Sequence, residues 1–344
     1  MSAVGEIPAT PRRRRFGLRT PPSGAQAPPP EVPGSRVEVT SRSDRRLVGR
    51  WVPYALSGPA ILVLAVIVGF PLVFSLVISF EKFGGFQLVT GSGIDWVGFT
   101  NYQKLFGGDF VPVLVRSVLF TIGTVGMTLI IGLALAMLMR RAHTWARIVL
   151  TVVLVTVWAV PQVTASQIFI FIFDPVYGVA NWLLSALHLG SYASLSVDQW
   201  YNHPVSVLAL AGTVVVWGAV PFVAITLFAG LLQIPEDLYE AARVDGAGFV
   251  SQLRTITLPL LMPILLLLGV LSVIWDWGVF NQIYVLQQVG GISTETTTFG
   301  VWGYDIAFNG SNYAEGGAVT MLSVVILLAV TGAAVRMMVR GART

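Results

Sequence analysis

The stretch "IPEDLYEAARVDGAGFVSQLRTITLPLLMP" occupies 234–263 between two long apolar runs, so its structure decides how those runs are joined. Pro235 suits the first turn of a helix, where its missing N–H is not needed, and acidic residues follow it at the positive end of the helix dipole. Gly246 and Gly248 predict the end of that helix or a sharp bend. A second helical pattern then leads to Pro259, where the next apolar run begins. The segment therefore predicts a helix, a bend and a second helix.

Small and apolar residues lie on one side of the first predicted helix. Leu238, Ala241 and Ala242 form a short apolar stripe, and Glu240 can pair with Arg243 at i,i+3. A loop this ordered costs conformational entropy, which some contact must offset. The residues alone leave two interpretations open: an ordinary solvated connection, or a docking element for a cytoplasmic partner.

The composition of the whole chain is that of an integral membrane protein. Of 344 residues, 55% are hydrophobic and 11% are charged, whereas ordinary soluble domains are about a quarter charged. Ten of the 21 basic residues precede Trp51, so the positive charge belongs to a tail and no nucleic-acid partner is expected. The chain has no cysteine and its three histidines are far apart, so no disulfide, metal site or cofactor is expected.

The arrangement along the chain predicts a tail followed by a helix bundle. Residues 1–50 are rich in Arg, Pro, Gly and Ser and are expected to be a disordered cytoplasmic tail, because they can bury little apolar surface. Over 51–344, six apolar runs are each long enough to cross about 30 Å of hydrocarbon. They lie at 54–80, 113–138, 147–173, 205–232, 259–286 and 316–338. The expected fold class is an all-α membrane protein with six transmembrane helices.

The distribution of Lys and Arg predicts the orientation of these spans. Eighteen of the 21 basic residues fall in the tail, in the connections 139–147 and 233–258, or at the C-terminal end. The opposite side has Lys82 and Lys104, with Arg116 near the outer end of the second span. Both termini are therefore expected in the cytoplasm, and the chain is expected to be a multi-pass protein of the plasma (inner) membrane.

The sequence "EAARVDGAGFVSQLRTITLPLL" resembles the EAA signature of binding-protein-dependent ABC importer permeases. In that signature EAA and DGA precede a hydrophobic helix that ends in LP. The residues that fall on the pattern are Glu240, Ala241, Ala242, Asp245, Gly246, Ala247, Ile256, Leu258 and Pro259. Leu253 replaces the usual aromatic residue of the second helix. The resemblance implies that 234–259 is a coupling segment seated on an ATPase subunit, in which Glu240 and Asp245 contact the ATPase. It also implies that Gly246 permits the bend.

The resemblance covers about 54–338. "WVGFTNYQKLF" (96–106) is similar to an element of the carbohydrate-uptake branch, and the segment 280–308 is similar to the one after the fifth span of maltose-type permeases. The family usually has Gly-Gly-Pro in that segment, whereas this chain has Gly290 and Gly291 followed by Ile292. The implied fold is that of a type I ABC importer permease. The implied partners are a second homologous permease, an ATPase dimer and an extracytoplasmic sugar-binding protein, and the implied cargo is a carbohydrate.

A sugar path through the bilayer needs hydroxyl-pairing groups and aromatic rings on helices that are broken enough to line a cavity. Three stretches offer them: "WAVPQVTASQ" in the third span, "VWGAVPF" in the fourth and "SVIWDWGVFNQ" in the fifth. In maltose-type permeases the same stretches carry the sugar contacts. The residues that the resemblance assigns to the substrate path are Trp158, Gln162, Gly218, Phe222, Ser272 and Asp276. Val215 and Ala219 are apolar where the family has polar contacts, so the identity of the sugar is not carried over.

Asp276 is an acid well inside an apolar run, where a carboxylate is costly unless it faces a cavity or a partner. Two roles stay open for it: lining the path, or pairing with the second permease. The tryptophans also have a second interpretation as residues of the membrane interface, which fits Trp275 and Trp277 best.

Two other classes of membrane protein are alternatives. An ion-coupled secondary transporter needs an internal repeat and ionisable residues in several spans. The sequence has no self-similar halves, and Asp276 is the one clear ionisable residue inside a span. A membrane-embedded enzyme needs a cluster of Asp, Glu or His near one interface, which the spans lack. The chain contains no G-x-x-x-x-G-K-[ST] nucleotide loop, so no catalytic residue is expected and ATP hydrolysis is assigned to a separate chain.

Overall fold

The structure is a computed structural model that describes residues 52–91, 95–174, 176–187, 199–290 and 293–341. The chain divides into two units, Met1–Pro59 and Ala60–Thr344, and only the helical residues from Val52 are described in the first. The tail expected over 1–50 lies outside the described residues.

The described chain is mainly helical, with one small two-stranded sheet. Its elements in order are α1 (Val52–Leu64), a π-helical turn (Ala65–Gly69), α2 (Phe70–Ile78), β1 (Glu81–Lys82), α3 (Gly85–Thr90), β2 (Asp95–Trp96), α4 (Thr100–Gly107), α5 (Phe110–Arg141), α6 (Thr144–Trp158), α7 (Gln162–Ile172), α8 (Val179–Ala186), α9 (Gln199–Asn202), α10 (Pro204–Leu231), α11 (Glu236–Val244), α12 (Phe249–Gln252), a π-helical turn (Leu253–Thr257), α13 (Leu258–Trp277), α14 (Asn281–Gln287), α15 (Ser293–Thr296), α16 (Phe299–Tyr304), a π-helical turn (Asp305–Asn309) and α17 (Tyr313–Gly341). Strands β1 and β2 pair antiparallel and are the one departure from the all-α expectation.

Five helical stretches are long and apolar enough to cross a membrane, and a bent pair supplies the sixth. The six-helix expectation agrees with these helices when α6 and α7 together form the third span. Helices α6 and α7 meet at an angle of 101° and are not one straight helix over 147–173. The cause is Pro161, which has an extended ψ of 137°. It lacks an N–H for the helical ladder, and its ring disfavours the helical region for the preceding residue.

Helix α10 is the centre of the bundle. In the most apolar 18-residue stretch of α10, 56% of the residues are buried, whereas 6% are buried in the corresponding stretch of the first span. Helix α5 packs along α10, and the two helices lie close together at Gly132, where a Cβ atom would lie 2.6 Å from Val223 Cγ1. The first span instead leaves its apolar side chains exposed, as expected for a helix that faces lipid or another subunit.

The motif at 96–106 has a structural role at the end of the first span. Asn101 is buried, and its amide donates hydrogen bonds of 2.9 Å to the carbonyl oxygens of Ser79 and Glu81. Tyr102 lies next to it, with its hydroxyl 2.7 Å from Ser79 Oγ. These bonds fix α4 against the chain that leaves α2, because buried carbonyl groups need a donor.

Trp277 corrects one sequence-based interpretation. It is 5% exposed, stacks on Phe299 with ring centroids 5.4 Å apart, and donates from Nε1 to Ser323 Oγ at 2.9 Å. It is therefore a core residue that joins α13 to α16 and α17, and the interpretation as an interfacial residue was wrong. Trp275, two positions earlier, points to the other side of α13 and is half exposed.

Candidate functional site

The segment 234–259 forms the predicted helix, bend and second helix. Helix α11 begins after Pro235, with Glu236 and Asp237 in its first turn. It ends in a Schellman motif, in which Gly246 N–H donates to Arg243 O at 3.1 Å and Ala247 N–H donates to Ala242 O at 2.8 Å. Gly246 has a φ of +79°, which only glycine adopts at little cost.

Tyr239 anchors α11 to the membrane bundle. Its side chain is 8% exposed and packs among apolar residues of α5, α10 and α13. Its hydroxyl lies 3.0 Å from Thr257 Oγ1, at the base of α13. Because the ring and its hydroxyl are both held, α11 and the start of the fifth span are expected to move together.

Two arginines at the end of α5 hold the same segment from the other side. Arg140 donates from Nη2 to Glu236 Oε2 at 2.6 Å and lies 4.2 Å from the centre of the Tyr239 ring. Arg141 lies 4.5 Å from the centre of the Phe249 ring. These cation–π contacts and the ion pair join α5 to both helices of the segment.

The opposite side of α11 is uncovered. Leu238 is 45% exposed and Ala241 is exposed, so these two residues of the predicted apolar stripe face away from the bundle. Val244, on the same side, is 87% exposed. The structure also leaves most of the predicted coupling residues exposed, namely Glu240, Asp245, Gly246 and Pro259, with Ala242 and Ala247 half-buried. Glu240 lies 3.8 Å from Arg243, so the predicted pair forms, but loosely.

The bend between α6 and α7 brings two predicted path residues together. Gln162 begins α7 and its side chain lies against Gly218 of α10, where a Cβ atom would be 2.7 Å from Gln162 Nε2. Gln282 of α14 donates from Nε2 to Gln162 Oε1 at 2.9 Å. Trp217 packs edge-to-face on Phe169 beside this amide pair, with ring centroids 5.7 Å apart.

The other predicted path residues are placed in different surroundings. Phe222 packs edge-to-face on Trp275, with ring centroids 5.5 Å apart, on the side of α10 that faces α13. Trp158 ends α6 and is 60% exposed. Ser272 and Asp276 lie one helical turn apart on α13 and are both buried, at 3% and 5% exposed.

The Asp276 side chain is buried among residues of this chain. Thr124 of α5 is a polar neighbour of the carboxylate, and Asp276 Oδ2 has no hydrogen-bond partner among the described residues. The carboxylate is therefore enclosed by residues of this chain, with α5 beside it. Its assignment to the path stays a prediction.

Sequence reasoning missed Tyr239, Arg140 and Gln282. Tyr239 carried a usable signal, because it is the one aromatic residue in a short amphipathic helix. The partner of Arg140 is 96 positions away and that of Gln282 is 120 positions away, so neither contact leaves a local pattern.

Comparison with known proteins identifies the family. Residues 128–343 match the family of binding-protein-dependent transport system inner membrane components, and the chain belongs to that family. It is a multi-pass permease subunit of an ABC importer, and ATP hydrolysis is carried out by a separate subunit.

Two relatives show what the chain is similar to. It is 35% identical to the diacetylchitobiose uptake system permease protein DasB of Streptomyces coelicolor over 308 residues. The matched region covers 89% of this chain and 91% of that protein. Over 237 residues it is 32% identical to the trehalose/maltose transport system permease protein MalF of Thermococcus litoralis, covering 69% of this chain and 77% of that protein.

The fold is similar to that of a solved ABC importer. A chain of the bacterial alginate ABC transporter, crystallised with an alginate pentasaccharide-bound periplasmic protein, superposes with a TM-score of 0.66 at 18% identity, covering 86% of this chain and 96% of that one. This similarity supports the type I permease fold.

Proposed function

We propose that the chain carries a carbohydrate, of di- or oligosaccharide size, through the membrane. The observation that carries this proposal is the amide pair of Gln162 and Gln282, which lies beside Gly218 within an apolar bundle. Amide groups offer both donors and acceptors, as sugar hydroxyls require. The sugars in the names of the two relatives, diacetylchitobiose and trehalose/maltose, support the same class of cargo.

The chain acts in this proposal as one of several subunits. A second, similar permease completes the path, two ATPase subunits bind at the cytoplasmic face, and an extracytoplasmic binding protein delivers the sugar. The lipid bilayer and the second permease cover the exposed apolar sides of the outer helices.

The uncovered side of α11 is the contact for the ATPase. A displacement of α11 by the ATPase would be transmitted to α13 through the hydrogen bond between Tyr239 and Thr257. It would be transmitted to α5 through the ion pair between Arg140 and Glu236. Since α5 and α13 both pack on the central helix α10, closure of the ATPase dimer would shift the helices that border the amide pair.

The test is sugar uptake by vesicles that contain the purified complex, supplied with the binding protein. We expect uptake of at least one neutral disaccharide to require ATP and to be insensitive to proton and sodium ionophores. Uptake that continues without ATP and stops with an ionophore would instead establish an ion-coupled transporter.

The Gly218→Ala variant tests the substrate path. Its Cβ would displace the Gln162 side chain and break the bond to Gln282, because only 2.7 Å are available. We expect the KM for sugar uptake to rise about fivefold to tenfold, the cost of one hydrogen bond, with little change in assembly. Gly123→Ala on α5, where a Cβ meets nothing within 4 Å, is the control. An unchanged KM for Gly218→Ala would remove the amide pair from the path.

A further inference from the structure

A polar cavity lies at the end of the bundle opposite the coupling segment. Its volume is about 580 Å³, within the usual range of small-molecule sites of roughly 300–1,000 Å³. It is bordered by the first residues of α5, by the end of α14 and by the chain from α16 to the following π-helical turn. Helix α5 runs from this cavity to Arg141 at the coupling segment, which fixes the two sites at opposite ends.

The cavity is lined by hydrogen-bonding groups, and Arg116 lies behind its wall, where Nη1 donates to Thr294 O at 2.7 Å and to Thr297 O at 3.0 Å. Asp109, Asp305, Gln287 and Asn309 contribute carboxylates and amides, and no Lys or Arg side chain is among the described residues that line it. Asn309 Nδ2 donates to Asp305 Oδ1 at 2.9 Å, which fixes that carboxylate and leaves Oδ2 without a partner among the described residues. Partial burial raises the pKa of the Asp305 carboxyl, and the bond from Asn309 offsets part of that rise.

A row of aromatic rings begins at the cavity wall. Tyr284 lines the cavity and packs on Tyr304, with ring centroids 5.2 Å apart. Tyr304 stacks on Phe308 at 4.9 Å, and Phe308 is 60% exposed. Phe280 stacks on Tyr284 at 4.9 Å, which extends the row toward α13. Such rings present electron-rich faces to the C–H groups of a sugar ring.

We propose that this cavity and the adjoining row of aromatic rings are a second carbohydrate site, which receives an uncharged sugar before it reaches the amide pair. The inference rests on the proposed function, since it concerns the same cargo. Carboxylates and amides pair with sugar hydroxyls. The carboxylates of Asp109 and Asp305 on the wall outnumber the one guanidinium of Arg116 behind it, which disfavours acidic sugars. A metal is not favoured, because no group of three His, Cys, Asp or Glu side chains among the described residues could hold one.

Helix α14 connects the two sites. Gln282 on one side of this seven-residue helix bonds to Gln162, and Tyr284 two positions later lines the cavity. A sugar that leaves the cavity therefore meets the same helix that carries half of the amide pair. This placement suits successive occupation of an entry site and a path site by one class of ligand.

The first test is equilibrium binding of radiolabelled sugars to the full permease–ATPase complex in nanodiscs, without the binding protein. The probes are maltose, trehalose, diacetylchitobiose and the acidic disaccharide digalacturonate. We expect at least one neutral sugar to bind and digalacturonate not to bind. Asp305→Asn and Tyr284→Leu should each weaken binding of that sugar about tenfold, and Asp95→Asn, at an exposed carboxylate on β2, should leave it unchanged.

Three results would overturn the second site: no neutral sugar binds, digalacturonate binds as tightly, or both cavity variants bind within twofold of the wild type. Uptake by the same complex with its binding protein separates the two proposals. If uptake is normal while any of these results holds, only the second site fails. If none of the sugars is taken up, the proposed function fails.

Mapping of a photoreactive derivative of the bound sugar distinguishes the cavity from the path. We expect labelled peptides from 284–310 in the wild type and loss of that label in Tyr284→Leu. Labels confined to peptides of α7, α10 and α13 would show that the amide pair is the single site and would contradict the inference.

Discussion

ATP-dependent uptake by the Gly246→Thr variant is expected to fall about fivefold to thirtyfold while the protein still reaches the membrane. Gly246 has a φ of +79°, and a β-branched residue in this region costs about 1–2 kcal/mol or more. The Schellman motif that ends α11 would open, and the uncovered side of α11 would turn away from the ATPase. A free-energy change of this size alters a population ratio about fivefold to thirtyfold. Uptake by reconstituted vesicles measures the effect.

The Gly248→Thr variant is the matched control. Gly248 precedes α12 with a φ of −73° and a ψ of 174°, which threonine adopts readily as the residue before a helix. A Cβ there meets nothing within 4 Å. We expect normal uptake. Equal losses at the two positions, or no loss at Gly246, would show that the left-handed bend is not what transport requires.

Gly132→Val is expected to lower the stability of the bundle itself. A Cβ at Gly132 would lie 2.6 Å from Val223 Cγ1 and 3.1 Å from Val223 Cβ, so α5 and α10 would have to separate. Overpacking of this kind costs about 1–3 kcal/mol, which corresponds to a fall in Tm of roughly 2–12 °C. Thermal unfolding of the purified protein, followed by tryptophan fluorescence, measures it.

The control on the same helix is Gly126→Val, where a Cβ meets nothing within 4 Å. Its Tm should stay close to that of the wild type, because helix propensity changes little between glycine and valine. If Gly132→Val were as stable as Gly126→Val, the close packing of α5 on α10 would be wrong.

Local chemistry made the coupling segment predictable. Proline before α11, acidic residues in its first turn and Gly246 at its end act within a few positions, so they leave a readable pattern. The six spans were predictable for the same reason, because hydrocarbon thickness sets a minimum length of apolar sequence.

Long-range packing made other features unpredictable. Pro161 was visible in the sequence, but hydropathy averages over a window and does not register a bend of 101°. The burial of Trp277 depends on Phe299 and Ser323, which lie far along the chain. Asp276 illustrates the same limit, since a polar neighbour of its carboxylate, Thr124, is on α5.

The orientation of the termini and the roles of the path residues stay predictions. The basic residues near Arg140 and the coupling segment lie at one end of the bundle, as the charge rule requires. The structure brings two of the predicted path residues, Gln162 and Gly218, into contact, whereas Trp158 is exposed.

The central claim is that α11 binds an ATPase subunit, and site-directed cross-linking tests it most directly. The chain has no cysteine, so Ala241→Cys introduces the one thiol of this subunit on the uncovered side of α11. With a maleimide–benzophenone reagent, we predict a permease–ATPase adduct whose yield changes when ATP is added. Val89→Cys, exposed on α3 at the opposite end, should give no such adduct. An equal yield at both positions, or none at Ala241→Cys in an assembled complex, would contradict the account.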